Sequence, residues 1–143
     1  MTPQQKFGPK RRIHGCGARY DHQTVLRVLV VDDDVDSAEM MSMLLRLMGH
    51  ETFVANTGED AVASTTQQQP HVLLLDISLP DINGYEVARR IRAEHGHTVR
   101  LIALSGWGED EDRRRAREAG FDHYLTKPAE PEALERLLGE EVV

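Results

Sequence analysis

Acidic, hydroxyl and amine side chains directly follow four short apolar runs in this sequence. Asp32, Asp33 and Asp34 come after RVLVV, Asp76 after HVLLL, Ser105 after RLIAL, and Lys127 after DHYLT. Carboxylates that lie close together repel one another unless a cation lies between them. Carboxylate oxygens in a hydrated setting are ligands that Mg²⁺ prefers. If the ends of these runs meet in the fold, the acids are candidates for a magnesium site.

A carboxylate in such a site can also act as a nucleophile toward phosphorus. In-line attack by one carboxylate oxygen on a phosphoryl group gives an acyl phosphate, and the cation draws charge from both reacting groups. Lys127 and Ser105 are then candidates for binding the phosphoryl oxygens. The backbone N–H groups that follow Asp76 and Ser105, those of Ile77 and Gly106, are candidates for additional donors.

The scarcity of lysine supports a special role for Lys127. The chain has 17 basic residues, but its lysines are only Lys6, Lys10 and Lys127. An ammonium group is a compact point charge on a flexible stem, whereas a guanidinium group is a broad planar fork. The position of this lysine between an apolar run and Pro128 therefore indicates a crowded site that needs an ammonium group.

The elements that must position these residues alternate between two periods. Short apolar runs predict strands at 27–31, 51–55, 71–75, 100–104 and 122–126, and segments with helical apolar spacing follow each of them. Gly49 and Gly120 fall where helix C-termini are expected, and Pro131 falls near the start of the last helix. This alternation predicts an α/β fold: a flavodoxin-like, doubly wound parallel sheet of five strands in the order 2-1-3-4-5, with five helices. In such a sheet, the residues that follow the strands meet at one edge.

The first predicted helix carries a stripe of methionine and leucine. Its members are Met40, Met41, Leu44, Leu45 and Met48. Methionine fills irregular gaps in protein cores well. We therefore expect this stripe to pack in the core rather than to form a binding surface.

Charge divides the chain into two parts. The net charge is −7, but the residues up to Leu26 carry five basic side chains against one acid and so contribute +4, which leaves −11 for the remainder. Residues 1–24 show no apolar period and contain Gly and Pro, so we predict a flexible basic extension at 1–24 before a compact domain at 25–143.

No segment of the sequence has the features of a membrane span or a secretion signal. The longest apolar stretches are far too short to cross a bilayer, and the N-terminus has no apolar signal core. The only cysteine, Cys16, cannot form an internal disulfide. These features predict a cytoplasmic protein without membrane contact.

Simpler structural roles are open for several of these residues. One of Asp32, Asp33 and Asp34 is expected to cap the first helix, although three consecutive acids exceed what capping needs. DDDVDS also has acids at the spacing of an EF-hand loop, but Ser37 and Met43 stand where the turn glycine and the bidentate glutamate belong, which excludes that site. In PDING, Asn83 or Asp81 is expected to cap the third helix.

Four motifs together resemble a known family. VLVVDDD, LLLDISLPDINGYE, ALSG and YLTKP resemble, in order and spacing, the motifs of the response-regulator receiver domain, over about residues 26–139. The resemblance implies that Asp76 is the phosphoacceptor and that Asp33 binds Mg²⁺ directly. Asp32 would act mainly through bound water, and the backbone carbonyl of Ser78 would complete the metal shell.

The resemblance also implies a switch and an output surface. Ser105 matches the switch hydroxyl, Lys127 the phosphate-binding lysine, and Tyr124 the aromatic residue that swings inward when the hydroxyl moves. The implied contact face is formed by the fourth helix, fifth strand and fifth helix, near Trp107 and Tyr124. SGWGEDEDRRRAREAGFDHYLTKP is similar to receivers attached to hybrid histidine kinases.

By this resemblance, the phosphoryl donor is a histidine kinase or a histidine phosphotransfer protein. The domain would catalyse only its own phosphorylation and dephosphorylation. Because the chain ends soon after the last predicted helix, we expect a single-domain regulator without a DNA-binding domain, monomeric or weakly homodimeric. Its downstream target is a protein that the sequence does not identify.

Two other functions stay open at this stage. A haloacid-dehalogenase-type aspartyl phosphohydrolase uses an Asp-x-Asp pair after its first strand, and Asp32 and Asp34 have that spacing, but the sequence has no spare segment for a substrate cap. A phosphate-independent interaction module would keep the fold while lacking an acid, hydroxyl or lysine of the site, and none of these residues is missing.

Overall fold

The strands form one parallel sheet in the predicted order. The structure is a computed structural model that describes residues 25–79, 81–106 and 110–139. Within these ranges the strand order is β2-β1-β3-β4-β5, and every neighbouring pair is parallel. The strands are β1 (Arg27–Val31), β2 (Glu51–Ala55), β3 (Val72–Asp76), β4 (Arg100–Ser105) and β5 (His123–Thr126). The predicted extension at 1–24 and Trp107 lie outside the described residues.

One helix follows each strand. The helices are α1 (Val35–Leu47), α2 (Gly58–Gln68), α3 (Gly84–His95), α4 (Asp110–Ala119) and α5 (Pro131–Leu138). The predicted helix signals hold: Gly49 and Gly120 have positive φ angles of 98° and 114° just after α1 and α4, and Pro131 is the first residue of α5. The predicted flavodoxin-like, doubly wound α/β fold is confirmed.

The helices cover both faces of the sheet. On one face, Leu29, Leu73 and Leu101 pack with residues of α2, α3 and α4 in a continuous apolar cluster. On the other face, Val30 and Leu74 pack with residues of α1 and α5. The central strand β3 is buried along its whole length, because both of its faces are covered by helices. None of the described helices has the length and apolarity needed to span a membrane.

The first helix departs from the predicted core packing at one position. Leu45 is fully buried, and Met41, Leu44 and Met48 pack against the core, but Met40 is 70% exposed. Successive residues on a helix are turned by about 100°. Met40 lies about 140° around the helix from the fully buried Leu45, so it faces away from the sheet. The prediction that the whole stripe lies in the core is wrong for Met40.

The strand register brings the reactive residues to one edge. Val31 of β1 lies beside Leu75 of β3, Asp76 beside Leu104 of β4, and Ser105 beside Thr126 of β5. The strand β3 includes Asp76 and begins at residue 72 rather than at the predicted residue 71. The side chains that follow β1, β3, β4 and β5 consequently meet at the carboxyl edge of the sheet.

Candidate metal and phosphoacceptor site

Three carboxylates converge at the carboxyl edge of the sheet. Asp32, Asp33 and Asp76 each offer one oxygen, and these oxygens lie within 4.8 Å of one another. Asp32 and Asp76 are each only 6% exposed, whereas Asp33 is exposed. A set of hard oxygen donors that is partly open to water fits Mg²⁺. The three acids singled out in the sequence are thus placed together, as candidates for holding one divalent cation.

Hydrogen bonds hold Asp32 on three sides. Its N–H donates to the carbonyl of Ala55 (3.1 Å), its carbonyl accepts from Asn56 Nδ2 (2.8 Å), and its Oδ1 accepts from the N–H of Asp34 (3.0 Å). Burial raises the pKa of Asp32 above its ordinary value, although the Asp34 amide and the charge of Lys127 act in the opposite direction. A nearby cation would favour the ionised form of this acid.

Both carboxylate oxygens of Asp76 are bound in the structure. Oδ1 accepts from the N–H of Ser78 (3.0 Å), and Oδ2 accepts from Lys127 Nζ (2.9 Å), which also lies 3.8 Å from Asp32 Oδ2. Burial lowers the pKa of Lys127, but the hydrogen bond to Asp76 and the charges of the three acids outweigh burial, so its pKa is raised. Lys127 is therefore a cation at neutral pH and fixes the orientation of Asp76.

One backbone amide next to the site, that of Ile77, does not point where the sequence predicted. The N–H of Ile77 donates to the carbonyl of Leu104 (3.1 Å) and extends the sheet, so it does not point toward the carboxylates. The amide that contacts Asp76 belongs to Ser78. Ser105 ends β4 and is buried, and its carbonyl accepts from the N–H of Lys127 (2.7 Å). This contact joins β4 to the segment that carries the lysine.

Gly84 allows the loop after β3 to fold tightly beneath Asp76. Its N–H donates to the carbonyl of Ile77 at 2.8 Å. A Cβ atom at this position would lie 2.6 Å from Ile77 Cα, which is closer than real Cβ contacts. A side chain at position 84 would therefore displace the loop that follows the candidate phosphoacceptor.

The acids and amides of this loop cap two different helices. Asn83 caps α3, where its Oδ1 accepts from the N–H of Glu86 (2.9 Å), as expected. Asp81 instead caps α2: its carboxylate accepts from the N–H groups of Gly58 (2.8 Å) and Glu59 (2.9 Å). These two hydrogen bonds lower the pKa of Asp81 to about 2. The loop is thereby attached to the N-terminus of α2.

The other residues singled out in the sequence lie at the rim of this centre, at the start of α1 and on β5. Gly106 and Ser78 are exposed at its rim. Asp34 caps α1, because its carboxylate accepts from the N–H groups of Asp36 and Ser37. Tyr124 is half-buried on β5, where its ring packs against the core and the guanidinium carbon of Arg113 lies 4.9 Å from the ring centroid.

One residue that shapes the site had not been singled out in the sequence. Asn56 follows β2 at the carboxyl edge and fixes the backbone of Asp32. The rule that located the other site residues, a polar side chain directly after an apolar run, applies to Asn56 as well, since it follows ETFVA. The signal was therefore present in the second strand.

Sequence comparison matches most of the chain to one family. The family model described as the response regulator receiver domain matches residues 28–138. The DNA-binding response regulator MtrA of Mycobacterium tuberculosis is 38% identical over 108 residues, which cover 76% of this chain and 46% of MtrA. The chain therefore spans about half the length of this curated relative.

Solved structures with the same fold include one receiver with a bound magnesium ion and one receiver in complex with another protein. The receiver of sensor histidine kinase PA1611 from Pseudomonas aeruginosa, with magnesium coordinated in its active site cleft, is 32% identical, has a TM-score of 0.75, and is matched over 83% of this chain and 98% of that one. The Saccharomyces cerevisiae Ssk1 receiver, crystallised with the histidine phosphotransfer protein Ypd1, is 27% identical with a TM-score of 0.75, over 80% of this chain and 86% of that one. Together with the grouped acids and Lys127, the family match shows that this chain belongs to the response regulator receiver domains, the phosphorylatable signalling domains of two-component systems.

Proposed function

We propose that this protein accepts a phosphoryl group on Asp76 from a histidine kinase or a histidine phosphotransfer protein, in a reaction that requires Mg²⁺ and takes place in the cytoplasm. The observation that carries the proposal is the position of Asp76. Its carboxylate belongs to the group of three acids and lies 2.9 Å from Lys127. The Ssk1 receiver, crystallised with a histidine phosphotransfer protein, supports a donor of this class.

The residues at the edge have separate roles in the proposed reaction. The carboxylates of Asp32, Asp33 and Asp76 and the carbonyl of Ser78 would hold Mg²⁺, which would neutralise charge on the reacting oxygens. A carboxylate oxygen of Asp76 forms a bond to phosphorus while the P–N bond of phosphohistidine breaks, and the bonding electron pair leaves with the imidazole nitrogen. Hydrolysis later returns the carboxylate, when water attacks phosphorus and the acyl oxygen leaves.

Positively charged and neutral donors bind the transferred group. Lys127 donates to Asp76 Oδ2, one of the two carboxylate oxygens that could attack phosphorus. This contact supports a role of its ammonium group in binding the phosphoryl oxygens. We assign the amide donors to Ser78 and Gly106 rather than to Ile77, whose N–H is used in the sheet. The Ser105 hydroxyl is proposed to move toward the phosphoryl group.

The output of the proposed reaction is a change on one face of the molecule. Movement of Ser105 leaves space that the ring of Tyr124 fills, and this changes the surface formed by α4, β5 and α5. Tyr124 is half-buried: its ring packs against the core and also contacts the guanidinium group of Arg113. This position supports the proposed movement of the ring. We propose a protein target for this surface and a monomeric or weakly homodimeric state.

An exposed apolar stripe next to the acids supports a protein donor. The helix α1 begins directly after Asp34 and exposes Met40 (70%), Met43 (54%) and Leu47 (85%) along one side. Grouped exposed apolar side chains are typical of surfaces that contact other proteins. A donor protein that packs on α1 would bring its phosphohistidine to the carboxyl edge of the sheet.

Intact-mass measurement after incubation with acetyl phosphate and Mg²⁺ tests the proposal. The expected result is a gain of one phosphoryl group in the wild-type chain, no gain in Asp76→Asn, and no gain when Mg²⁺ is chelated. Labelling that persists in Asp76→Asn and disappears in Asp32→Asn would instead support a phosphohydrolase. Absence of labelling in the wild type would support a phosphate-independent module.

The geometry favours the receiver reaction over the phosphohydrolase reaction. A phosphohydrolase would need the carboxylates of Asp32 and Asp34 to face one substrate. Asp34 instead uses both of its carboxylate oxygens at the N-terminus of α1, where Oδ1 accepts from Asp36 and Oδ2 from the Ser37 hydroxyl. Its side chain is thus engaged in capping.

A further inference from the structure

A surface groove lies between α4 and β5, apart from the three carboxylates. Its volume is about 270 Å³. Ala116 and Phe121, both buried in the core, contribute apolar surface to it. Its other lining residues are charged or aromatic: Arg113, Arg117, Asp122, His123 and Tyr124. The groove thus has a nearly closed apolar floor and two exposed arginines among its lining residues.

The arginines of α4 fall into two sets. Arg114 lies 2.6 Å from a carboxylate oxygen of Glu111, and Arg115 stacks on an aromatic ring of α3, 4.6 Å from its centroid. Arg113 and Arg117 line the groove instead. Because they are four residues apart, they lie about 6 Å apart along the helix axis. Two cations at this spacing can bind two anionic groups on one ligand.

Positive charge is in excess inside the groove. The carboxylate of Asp122 already accepts from Arg92 (2.7 Å) and from the N–H of Leu101 (2.9 Å), so its charge is compensated. Within the ranges that the structure describes, the guanidinium group of Arg117 makes no hydrogen bond or ion pair, although its carbonyl accepts from the N–H of Gly120 (3.1 Å). The chain as a whole carries a net charge of −7. The groove is therefore a local positive site on a negatively charged protein.

We infer that this groove binds an acidic segment of a partner protein, whose carboxylates pair with Arg113 and Arg117. A guanidinium group binds a carboxylate through two parallel hydrogen bonds, and this geometry gives specificity as well as affinity. Ala116 and Phe121 are almost fully buried and offer only a small apolar contact, so the two ion pairs supply most of the recognition. The inference goes beyond the proposed output face, because it specifies the chemistry of the segment that this face recognises.

Phosphorylation is linked to this groove through Tyr124. The ring of Tyr124 forms one wall and lies under the guanidinium group of Arg113. Inward rotation of the ring would remove that contact and change the position of Arg113. This link rests on the proposed phosphorylation of Asp76, and it predicts that the affinity for the acidic segment differs between the two states.

An NMR titration of the isotope-labelled 143-residue chain tests the inference. The probe is a helix-forming peptide of about 15 residues with two glutamates four positions apart on either side of a leucine, and the control peptide carries glutamines in their place. We expect saturable amide shifts at Arg113, Arg117, His123 and Tyr124. The control peptide should bind about fivefold more weakly, in line with exposed ion pairs.

A pair of matched variants separates specific recognition from general charge attraction. Arg117→Gln is expected to weaken binding of the acidic peptide about fivefold. Arg114→Gln removes the same charge from the same helix but outside the groove, and it should leave binding unchanged. Equal losses in both variants, equal binding of the two peptides, or no saturable shift at the groove would overturn the inference.

Intact mass distinguishes failure of this inference from failure of the proposed function. Peptide binding to the unphosphorylated chain tests the groove by itself. If acetyl phosphate adds a phosphoryl group and the affinity does not change, the link through Tyr124 is wrong. If no phosphoryl group is added, the proposed function fails, while the groove is still judged by the unphosphorylated titration.

Discussion

At the scale of single residues, Lys127 and Asp76 form the contact on which the site depends. The ammonium group lies 2.9 Å from Asp76 Oδ2 and 3.8 Å from Asp32 Oδ2, so one cation is shared by two buried carboxylates. Two such acids would repel each other without a nearby positive charge. In the described part of the chain no other lysine is present, and the arginines lie elsewhere in the fold.

Replacement of Lys127 by arginine should retain the fold and impair the chemistry. A planar guanidinium group cannot occupy the place of a compact ammonium group between two carboxylates. We expect Lys127→Arg to slow phosphorylation by acetyl phosphate about tenfold, as expected for a displaced transition-state donor. The measurement is the rate of mass gain, with thermal unfolding by circular dichroism to verify the fold.

Arg114→Lys is the control for this exchange. Arg114 is exposed and pairs with Glu111, so the converse substitution there should change neither the phosphorylation rate nor the melting temperature. A normal phosphorylation rate in Lys127→Arg would show that the site does not require the shape of an ammonium group.

Individual site residues could be predicted from the sequence to different extents. The positions of Asp32, Asp76, Ser105 and Lys127 were predictable because each directly follows a clear apolar run in the sequence. The direction of the Ile77 N–H was not predictable, since a peptide N–H one residue beyond a strand can either extend the sheet or face the site. Only the register of β3 against β4, which pairs this N–H with the carbonyl of Leu104, decides between the two.

At the scale of secondary-structure elements, the start of β1 is held by two histidines. His50 Nδ1 accepts from the N–H of Leu26 (3.1 Å), and His71 Nδ1 accepts from the N–H of Arg27 (2.9 Å). Both contacts require an unprotonated Nδ1. Burial lowers the pKa of both histidines, and for His71 the charge of Arg27 lowers it further, against a smaller opposing effect of Glu51.

This arrangement predicts that stability decreases in mild acid. Because the pKa of each histidine is lower in the folded than in the unfolded chain, the unfolded chain binds more protons. The contribution is fully present above the unfolded value of about 6.5 and is lost as the pH falls through the folded values. Urea unfolding at a series of pH values should show this loss, with about 1 kcal/mol for the buried His50 contact and less for the solvent-exposed His71 contact.

His50→Asn provides a direct test of the assignment. The amide oxygen of asparagine can accept from Leu26 but does not titrate, so the variant should show a flatter dependence of the unfolding free energy on pH than the wild type. His97→Asn, at an exposed position, is the control. If His50→Asn and His97→Asn have the same pH dependence as the wild type, the proposed role of His50 in acid sensitivity is incorrect.

Two expectations at the element scale were decided only by the structure. Asn83 and Asp81 were both candidates for the cap of α3; Asn83 takes this role, whereas the Asp81 carboxylate accepts from the N–H groups of Gly58 and Glu59 at the start of α2. Met40 was expected in the core because methionine fills irregular gaps in protein cores well. The stripe on α1 is wider than the contact of one helix with a sheet, so part of it faces solvent.

At the scale of the whole molecule, the site results from topology more than from any single motif. Strands β1, β3, β4 and β5 contribute residues that are up to 95 positions apart in the sequence, and the parallel arrangement brings them to one edge. The alternation of strand and helix patterns, together with the family resemblance, was sufficient to predict this arrangement. Distances between side chains, the shared cation and the groove beside β5 depend on packing and were not accessible from the sequence.

Removal of residues 1–24 is expected to leave the proposed chemistry intact. All candidate site residues lie in the part of the chain from Asp32 onward. The shortened chain should be phosphorylated by acetyl phosphate within about twofold of the full-length rate, as is usual when a terminal segment outside the core is removed. A large loss of phosphorylation or of Mg²⁺ binding would place the domain boundary earlier than residue 25.

Identification of the modified residue tests the central claim most directly. After treatment with acetyl phosphate and Mg²⁺, borohydride reduction converts an aspartyl phosphate into homoserine, which peptide mass spectrometry locates in the sequence. We predict homoserine at position 76 only, and only when Mg²⁺ is present. Homoserine at position 32 or 33, or an equal yield at position 76 after Mg²⁺ is chelated, would contradict the assignment of Asp76 as a magnesium-dependent phosphoacceptor.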